Sequence, residues 1–553
     1  MSSSSSSSSQ QEFVLDLLGL GFGPANIAVA AALTEHWAEN KDNADPARKV
    51  LFIEKHSHFR WHPGMLLPDA RMQISFMKDL ATLRNPRSRY TFISYLHSQG
   101  RLVSFINRGS TIPTRKEYSD YLSWAAAEVQ ANGVDVLYGH EIIDIRKAHE
   151  DTVAVQYRNL ATGEETVVRA KNIIISPGGS PRIPAFLAPV IQHPHIIHSS
   201  QYATSISQIF QKFDGIARPL RVAVIGSGQS AAEVTMDLRE RLSKIPSDGR
   251  HIVEMIIRKG SLKPSDDSPF ANEIFDPAAT DSWYSLTSRN MREMKLAEYK
   301  LTNYGVVNPR TIDALYEIIY DQRLDTAVAQ RQGKGAPQTE AWIEIKPYTE
   351  IVSVKTHDTP AAAAADLLLS PDNTPPRVSP FVVKTQSIID RAEAEEQYDA
   401  IVYATGYERG SWVNILKNSD IAPHFGLNPL SRSVRLVPTS TTIRSQSCAS
   451  SGSNSGASTP SNPSSAQSSP PTSPDIESFS KEKDSLPSYH EVHISRNYRL
   501  LPVGFVDNPA QTSFAPKIYL QGVEEQTHGL SDTLLSVLGV RAGEVVADLT
   551  SRT

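Results

Sequence analysis

The chain has 553 residues, a net charge of −5 spread over both signs, and a single cysteine, Cys448. This length allows two or three domains, the charge argues against nucleic acid or an anionic membrane as partner, and one cysteine excludes an internal disulfide framework and a Cys-x-x-Cys redox pair. No apolar run approaches the roughly 20 residues of a membrane span and no signal peptide is recognisable, so a cytoplasmic protein is predicted.

The first ordered stretch has the pattern of a nucleotide-binding unit. Residues 1–11 are almost all serine and are predicted to be disordered. An apolar strand, a turn with Gly21 and Gly23, and an Ala-rich helix follow within residues 14–33. Glycines there let a pyrophosphate approach the helix N-terminus, whose free N–H groups favour an anion. The order favours a dinucleotide fold over a plain surface turn, although Asn26 replaces the third glycine of the usual pattern.

The second strand of such a unit usually ends in an acid that binds the ribose hydroxyls. Glu54 ends the apolar run 49–54. It is farther from Gly21 than the usual spacing of about 20 residues, and the polar stretch 37–48 is interpreted as an insertion. An acid at this position favours a free 2′-hydroxyl. The first cofactor is therefore predicted to be FAD or NAD and not NADP.

The segment after Glu54 is basic and aromatic and contains His56, His58 and His62. A metal site is conceivable, but no carboxylate or thiolate completes it, and a loop lying along the first cofactor is favoured. In the next segment Lys78, taken alone, would be a solvated surface lysine. A helix over 118–130 and strands over 134–155 are then predicted from the apolar periodicity.

An apolar strand at 173–176 ends at Pro-Gly-Gly and resembles a return strand of the first domain. Further along the chain the opening motif occurs a second time, with an apolar strand at 220–225 followed by Gly226, Gly228 and Ala231. Two strand–turn–helix motifs are far less easily accidental than one. The strand after the second motif ends in Arg258, which suits a 2′-phosphate and favours NADPH over the alternative of a solvent-exposed charge. The simplest explanation is hydride transfer from NADPH to FAD, with oxygen or an external molecule as the final acceptor because no cysteine pair is present.

The rest of the chain completes the predicted organisation, an α/β fold with two Rossmann-like dinucleotide-binding domains and a small interleaved substrate-binding region. Loops at 264–277 and 302–306 could be plain surface loops, 356–377 is an excursion, and a strand at 399–403 closes a nucleotide domain. The predicted parts are a FAD-binding domain at 12–215, an NADPH-binding domain with substrate-contacting loops at 216–400, a return to the FAD domain and substrate site at 401–439 and 488–553, and a disordered Ser/Pro/Thr insertion at 440–487.

Eight motifs, spread over residues 12–545 apart from the serine tracts, resemble the fungal L-ornithine N5-monooxygenases, class B flavoproteins that open hydroxamate siderophore biosynthesis. They are Gly-Phe-Gly-Pro-Ala-Asn, Trp-His-Pro-Gly-Met, Met-Gln-Ile-Ser-Phe-Met-Lys-Asp-Leu, Gly-Ser-Gly-Gln-Ser-Ala, Ser-Asp-Asp-Ser-Pro-Phe-Ala-Asn-Glu, Thr-Asn-Tyr-Gly-Val-Val, Ala-Thr-Gly-Tyr and Thr-His-Gly-Leu-Ser-Asp. The serine-rich insertion departs from shorter relatives.

The resemblance implies residues for each ligand. FAD would contact Gly21, Gly23, Glu54, Lys55, His56, Ser57, His58, Phe59, Arg60, Trp61, His62, Gln73 and Ile142, with His528, Gly529 and Leu530 covering the isoalloxazine. NADPH would contact Ser227, Gly228, Gln229, Ser230, Arg258, Asn303, Tyr304 and Gly305. L-Ornithine would contact Lys78, Asn272, Glu273, Ile274, Phe275 and Ser531, and Lys78 and Asn303 would be catalytic.

The implied reaction is N5-hydroxylation of ornithine by O₂ through a C4a-hydroperoxyflavin, in an enzyme without metal, nucleic-acid partner or membrane. The family implies a homotetramer. Lysine N6-hydroxylation is the nearest alternative, because one extra methylene is worth only about 1–3 kcal/mol in a pocket. An alternative of another class is a catalytically silent FAD- and NADPH-binding regulator.

Overall fold

The computed structural model describes residues 13–40, 47–149, 151–335, 340–356, 380–439, 489–505 and 514–551. Cys448, the tracts at 1–11 and 440–487, and the excursion at 356–377 except its first residue lie outside these ranges. Within the described ranges, no helix combines the length and the apolar character that crossing a bilayer would need.

The strands of the described residues are β1 Val14–Leu20, β2 Val50–Glu54, β3 Asp135–Tyr138, β4 His140–His149, β5 Thr152–Asn159, β6 Glu165–Ile175, β7 Ser180–Pro181, β8 Ile196–His198, β9 Arg221–Ile225, β10 Ile252–Ile256, β11 Trp342–Lys346, β12 Thr349–Thr356, β13 Phe381–Ser387, β14 Glu393–Tyr398, β15 Ala400–Tyr403, β16 Tyr407–Glu408, β17 Val434–Pro438, β18 His490–Ile494, β19 Arg499–Leu501 and β20 Lys517–Leu520.

The α-helices are α1 Pro24–Glu39, α2 Phe92–Ser98, α3 Leu102–Asn107, α4 Arg115–Ala131, α5 Tyr202–Gln211, α6 Gln229–Leu242, α7 Pro269–Asn272, α8 Ala279–Tyr284, α9 Arg289–Asn303, α10 Pro309–Arg331, α11 Ser411–Leu416, α12 Glu525–His528 and α13 Leu538–Thr550. Short 3₁₀ turns include Pro63–Met65, Ala185–Leu187, Ser199–Gln201, Glu273–Phe275, Ala422–Phe425, Leu530–Thr533 and Leu535–Val537.

The first sheet is built around β1, which pairs in parallel with β2 on one side and β6 on the other. Its order is β17-β18-β19-β20-β6-β1-β2-β3, with β5 and β4 branching from β6. Leu17 and Leu18 on β1 point into different apolar clusters, so both faces of this parallel core are covered. Helix α1 packs against α4 and α13 on one of these faces.

The second sheet has the parallel order β11-β10-β9-β15-β8, and β12–β14 form a separate antiparallel sheet. Strand β8 precedes residue 216 and β15 extends beyond residue 400, so this sheet draws strands from outside the interval predicted for the NADPH domain. The predicted α/β class is confirmed: the second sheet is parallel, and the first has a parallel core around β1 with antiparallel pairs at β4–β5–β6 and β18–β19–β20. The domain boundaries at 215 and 400 stay predictions.

Two segments of the chain cross between these sheets, one after β6 and one after β15, and they are bonded to each other. Strands β7 and β16 form a two-stranded antiparallel ribbon at the crossing. Helices on the two sheets also meet directly, because Arg115 of α4 and Glu233 of α6 form a bidentate ion pair at 2.7 and 2.9 Å. The two folds are therefore joined by both covalent and ionic contacts.

Candidate active site

The two glycine turns have the same construction. Gly21 has φ +88° and Gly226 has φ +137°, values that favour glycine. A Cβ on Gly21 would lie 2.8 Å from the Ser176 carbonyl oxygen, and one on Gly226 would lie 2.5 Å from the Ala404 carbonyl oxygen. Each turn thus sits against the residue that directly follows a return strand, β6 in one sheet and β15 in the other.

The helices that leave these turns present open N-termini. Gly23 is the N-cap of α1 and Gly228 the N-cap of α6, and neither helix has a side-chain cap. A Cβ on Gly23 would meet no atom within 4 Å, so the backbone faces open space there. Free N–H groups beside an open space at a helix N-terminus suit a bound phosphate.

Asn26 explains the missing third glycine of the first motif. Its side chain is fully buried, and Nδ2 donates to the Gly21 carbonyl oxygen at 2.7 Å. Its Oδ1 accepts from the Ser176 hydroxyl at 2.9 Å. The amide therefore ties the turn to the segment after β6, a role that glycine could not fill.

Glu54 lies at the end of β2, beside the first turn. Its Oε2 accepts from the Phe22 N–H at 2.9 Å, and its Oε1 accepts from the His56 N–H at 3.0 Å. Burial acts to raise the pKa of this carboxyl, but the His56 and Phe22 backbone donors outweigh it, and the pKa is lowered. Glu54 is therefore held as an anion where the ribose of a dinucleotide would lie.

The other residues of the first predicted set differ in their surroundings. Trp61 is buried against Tyr118, with ring centroids 5.7 Å apart, and belongs to the hydrophobic core. Ile142 lies on β4, which packs beside β2. Gln73 reaches the second fold, because its Nε2 donates to Gln229 Oε1 at 3.4 Å. This contact brings the two predicted cofactor sets together.

The second turn is covered by the loop at 303–305. A Cβ on Gly228 would lie 3.5 Å from Gly305 Cα, and Lys259 Nζ donates to the Gly305 carbonyl oxygen at 2.9 Å. Gln229 Oε1 accepts from the Asn308 N–H at 2.7 Å, and its Nε2 donates to the Thr311 hydroxyl at 3.0 Å. The predicted NADPH residues on α6 and after α9 therefore form one surface.

Arg258 does not occupy the position equivalent to Glu54, which the sequence comparison of the two motifs predicts for it. The N–H groups of the first and second turn glycines donate to Ile53 at 2.8 Å and Ile256 at 3.2 Å, so these two residues are equivalent. Glu54 follows Ile53 directly, whereas Arg258 is one residue further from β10 and is exposed. The predicted strand end at Arg258 is wrong by two residues, because β10 ends at Ile256.

Lys78 lies next to the residues predicted to bind substrate. Its Nζ is 5.7 Å from the centre of the Phe275 ring. Burial lowers the pKa of Lys78, and the Asp276 carboxylate partly opposes this effect. Asn272 is exposed and its Nδ2 donates to the Asp267 carbonyl oxygen at 3.0 Å. Asp276 was not among the predicted residues, although it follows Phe275 directly in the sequence.

A cavity of about 260 Å³ gathers part of the predicted set. Its lining includes Glu273, Ile274, Ser531 and the segment at 528–530, together with Phe270, Ala279, Ser282, Trp283, Lys295 and Tyr299. Lys78, Asn272 and Phe275 do not line it. Phe275 instead packs in a small apolar cluster with Leu530 and Trp283, both of which line the cavity. Asn303 ends α9, and its Nδ2 donates to the Thr302 hydroxyl at 3.0 Å.

His528 is an internal side chain. Its ring stacks on Tyr498 with centroids 4.2 Å apart. Its Nδ1 is 2.8 Å from the Thr527 hydroxyl and its Nε2 is 3.1 Å from the Arg496 carbonyl oxygen. Burial lowers the pKa of His528 to about 4, so the imidazole is neutral at pH 7. It supports the segment predicted to cover the flavin and carries no charge.

Sequence reasoning missed a buried charged group beside this segment. Glu524, Asp532 and Arg541 are all almost fully inaccessible to solvent. Arg541 Nη1 donates to the Asp532 carbonyl oxygen and lies 3.3 Å from its Oδ1. Burial and then the Asp532 charge raise the pKa of Glu524 well above its usual range. Glu524 Oε2 accepts from the Val523 N–H at 2.9 Å, while Oε1 has no partner in the part of the chain that the structure covers.

No set of three His, Cys, Asp or Glu side chains in the described ranges is arranged to hold a metal ion. Of the three histidines after Glu54, His56 and His62 lie in different surroundings. His56 Nδ1 is 2.6 Å from Glu54 Oε1, and the His62 ring centroid is 6.2 Å from that of Tyr407.

Known proteins match the chain over nearly its whole length. Residues 13–409 match the family described as L-lysine 6-monooxygenase/L-ornithine 5-monooxygenase. A protein of Coprinopsis cinerea named L-ornithine N(5)-monooxygenase is 56% identical over 551 residues, 98% of either chain. One of the same name from Ceriporiopsis subvermispora is 48% identical, again over 98% of either chain.

Solved structures of ornithine hydroxylases also match the chain over nearly its whole length. The reduced ornithine hydroxylase of Pseudomonas aeruginosa has a TM-score of 0.69 and 30% identity, covering 97% of this chain and 99% of that one. An ornithine N-hydroxylase of Kutzneria sp. 744, solved with reduced FAD, NADP⁺ and L-ornithine, has a TM-score of 0.67 and 29% identity with the same coverage.

Proposed function

The chain belongs to the L-lysine 6-monooxygenase/L-ornithine 5-monooxygenase family, and on that premise we propose that it hydroxylates N5 of L-ornithine with NADPH and O₂. The observation that carries this conclusion is the near full-length similarity to fungal proteins named L-ornithine N(5)-monooxygenase. The enzyme is a FAD- and NADPH-dependent monooxygenase, and its product enters hydroxamate siderophore biosynthesis. A homotetrameric assembly and a cytoplasmic location stay predictions.

The first fold fits FAD on its own geometry. The open N-terminus of α1 at Gly23 would receive the pyrophosphate, and the Glu54 anion would accept the ribose hydroxyls. FAD supplies, when bound, acceptance of a hydride from NADPH and activation of O₂. We propose that the second turn at Gly228, with the loop at 303–305 and Arg258, holds NADPH.

Lys78 would bind the α-carboxylate of ornithine. A carboxylate at Nζ would raise again the pKa that burial lowers, so substrate binding would favour the charged lysine. A charge pair at one end of the substrate fixes how far the amine can reach, and thus which chain length is accepted. The Phe275 ring would hold the lysine side chain in this direction through a cation–π contact.

The reacting amine must be neutral to be nucleophilic. With a pKa near 10.4, only roughly one free molecule in 2,500 is neutral at pH 7. Amide groups such as those of Asn272 and Asn303 can contact the amine without favouring its charged form, as a carboxylate would. We propose that these amides and the desolvated site lower the amine pKa.

A product assay tests the function and its nearest alternative. Purified, FAD-loaded protein is given NADPH, O₂ and either L-ornithine or L-lysine, and the N-hydroxylated amino acid is quantified. Faster product formation with ornithine is expected. Equal rates with lysine would contradict the substrate assignment. A protein that binds FAD and NADPH but forms no product from either amino acid would favour the silent regulator.

Replacing each glycine of the first turn by alanine, in two separate variants, distinguishes an effect on folding from an effect on FAD binding. Gly21→Ala is expected to lower the melting temperature of the protein, because alanine disfavours φ +88° and its Cβ would lie 2.8 Å from the Ser176 carbonyl oxygen. Gly23→Ala has room in the fold and is expected to reduce FAD content instead, since its methyl group would occupy the phosphate space. Flavin absorbance and thermal unfolding measure the two effects, and full FAD content in Gly23→Ala would contradict this placement.

Arg258→Ala is expected to raise the KM for NADPH about 10-fold or more and to leave the KM for NADH nearly unchanged. A guanidinium that contacts a 2′-phosphate makes a charge-assisted hydrogen bond worth about 1.5–3 kcal/mol, which NADH cannot make. Steady-state kinetics with both nucleotides measure the ratio. An equal loss with both would show that Arg258 does not recognise the 2′-phosphate.

A further inference from the structure

Glu525 lies at a point where three segments of the chain meet. Tyr304 OH donates to Glu525 Oε1, and the Thr533 hydroxyl donates to the same oxygen at 2.5 Å. Lys300 Nζ is 3.4 Å from Oε2, and Arg409 Nε is 3.9 Å from Oε1. The carboxylate therefore gathers two hydroxyl donors and two cations.

These partners come from parts of the chain with different predicted roles. Tyr304 belongs to the loop at 303–305 that would hold NADPH. Thr533 ends the 3₁₀ turn Leu530–Thr533, which contains Ser531 of the predicted substrate set. Arg409 directly follows β16, and its Nη1 donates to the Gly522 carbonyl oxygen at 3.2 Å. Only 12% of the Glu525 side chain is exposed, so water screens these contacts only partly.

We propose that Glu525 is a positioning residue that fastens the nicotinamide-cofactor loop at 303–305 to the turn Leu530–Thr533. The proposal rests on the proposed function, because it assigns a consequence to those two segments. The same carboxylate would then hold both the loop at 303–305 and the turn Leu530–Thr533 in place. Binding of NADP(H) to the loop would therefore also stabilise the turn, which contains Ser531 of the predicted substrate set.

Loss of the carboxylate has a specific physical consequence. Lys300 and Arg409 would face each other without the anion between them, and Tyr304 and Thr533 would lose their shared acceptor. The loop and the turn would separate. Among the described residues, the side-chain partners of Glu525 are Tyr304, Thr533, Lys300 and Arg409, none of which belongs to the first glycine turn, so the amount of bound FAD should not change.

The test compares Glu525→Ala, Glu525→Gln, Tyr304→Phe and the double variant Tyr304→Phe/Glu525→Ala in the full-length, FAD-loaded enzyme. Two quantities are measured: the NADP⁺ dissociation constant by titration calorimetry, and the fraction of oxidised NADPH recovered as hydroxylated ornithine. Glu525→Ala is expected to weaken NADP⁺ binding about 5- to 20-fold and to lower that fraction by at least half. Glu525→Gln keeps an acceptor oxygen and should show a smaller loss of each.

The double variant distinguishes positioning from general destabilisation. Because both changes break the same contact, its NADP⁺ binding should be no weaker than that of the worse single variant. Glu298→Gln removes an exposed carboxylate from the same helix as Lys300 and serves as the matched control, with wild-type values expected. Thr533→Val removes the second donor and gives the same test if Glu525→Ala does not fold.

The positioning role would be overturned if the losses of NADP⁺ affinity in the two single variants added up in the double variant. It would also be overturned if Glu525→Ala bound NADP⁺ as tightly as wild type and converted the same fraction of oxidised NADPH into hydroxylated ornithine. The wild-type enzyme decides the underlying function separately. If it forms no hydroxylated ornithine, the proposed function fails, whereas a productive wild type with unaffected Glu525 variants refutes only the positioning role.

Discussion

Replacement of Lys78 by alanine is expected to raise the KM for L-ornithine about 10- to 100-fold while FAD content and the KM for NADPH stay close to wild type. The lost interaction is a charge-assisted contact between the ammonium and the substrate carboxylate, worth about 1.5–3 kcal/mol. Without that anchor the amine would not be held at the reacting oxygen. NADPH oxidation should continue and should yield mainly hydrogen peroxide in place of hydroxylated ornithine.

Two further variants make the Lys78 result interpretable. Lys78→Arg keeps the charge but changes its reach, and a KM between those of wild type and Lys78→Ala is expected. Lys116→Ala removes an exposed lysine of α4 and should leave the kinetics unchanged. An unchanged ornithine KM in Lys78→Ala would remove this residue from the substrate site.

Arg541→Leu is expected to destabilise the protein by about 3–5 kcal/mol, because it leaves the Asp532 carboxylate buried without its cation. Burial acts to raise the pKa of Asp532, and the Arg541 charge is the largest of the effects that together lower it. Without Arg541 the buried acid would have to stay ionised without its cation or take up a proton, and either change costs stability. Thermal unfolding and the yield of folded protein measure the loss. The double change Asp532→Asn/Arg541→Leu removes both charges and should recover part of it, and no recovery would show that the charge pair is not the cause.

The same cluster predicts how stability depends on pH. The raised pKa of Glu524 means that the folded chain holds this proton more tightly than the unfolded chain. Its contribution to stability is complete below the unfolded-chain pKa and is lost as pH rises through the raised value. Two ionisable groups act on it: the Asp532 charge, which raises its pKa, and the Arg541 charge, which opposes this effect.

Glu524→Gln has no such proton to lose and gives the matched comparison. As the pH is increased from about 5 to about 8, the free energy of unfolding of Glu524→Gln is expected to rise relative to that of the wild type, by up to about 1.4 kcal/mol per pH unit. Its melting temperature relative to wild type should rise over the same range. A pH-independent difference between the two proteins would show that Glu524 is ionised in the fold.

The features recovered from the sequence are those encoded by consecutive residues. Strand, glycine turn and helix are contiguous at both nucleotide folds, and the acid that ends β2 is part of the same run, so local patterns predicted them. The one-residue offset of Arg258 was not recoverable, because it depends on where β10 stops pairing. The function came from a set of motifs dispersed along the chain, and their residue roles stay predictions.

The features that sequence reasoning missed depend on partners distant in the chain. Arg115 finds Glu233 only after two sheets have formed, and Arg541 finds Asp532 only when α13 packs against the preceding turn. Glu525 stands two residues before the Thr-His-Gly-Leu-Ser-Asp motif, so its position was visible but its four partners were not. Strand β8 joins the second sheet through pairing with β15, which no local pattern announces.

The ribbon formed by β7 and β16 restricts how the two nucleotide folds can move. Both covalent connections between the sheets run side by side there and are hydrogen-bonded to each other. A twist of one sheet against the other would shear the ribbon, whereas a swing that carries both connections together leaves its pairs intact. The ribbon therefore favours a hinge motion of the two nucleotide folds about it, and the Arg115–Glu233 ion pair would have to break for the folds to separate.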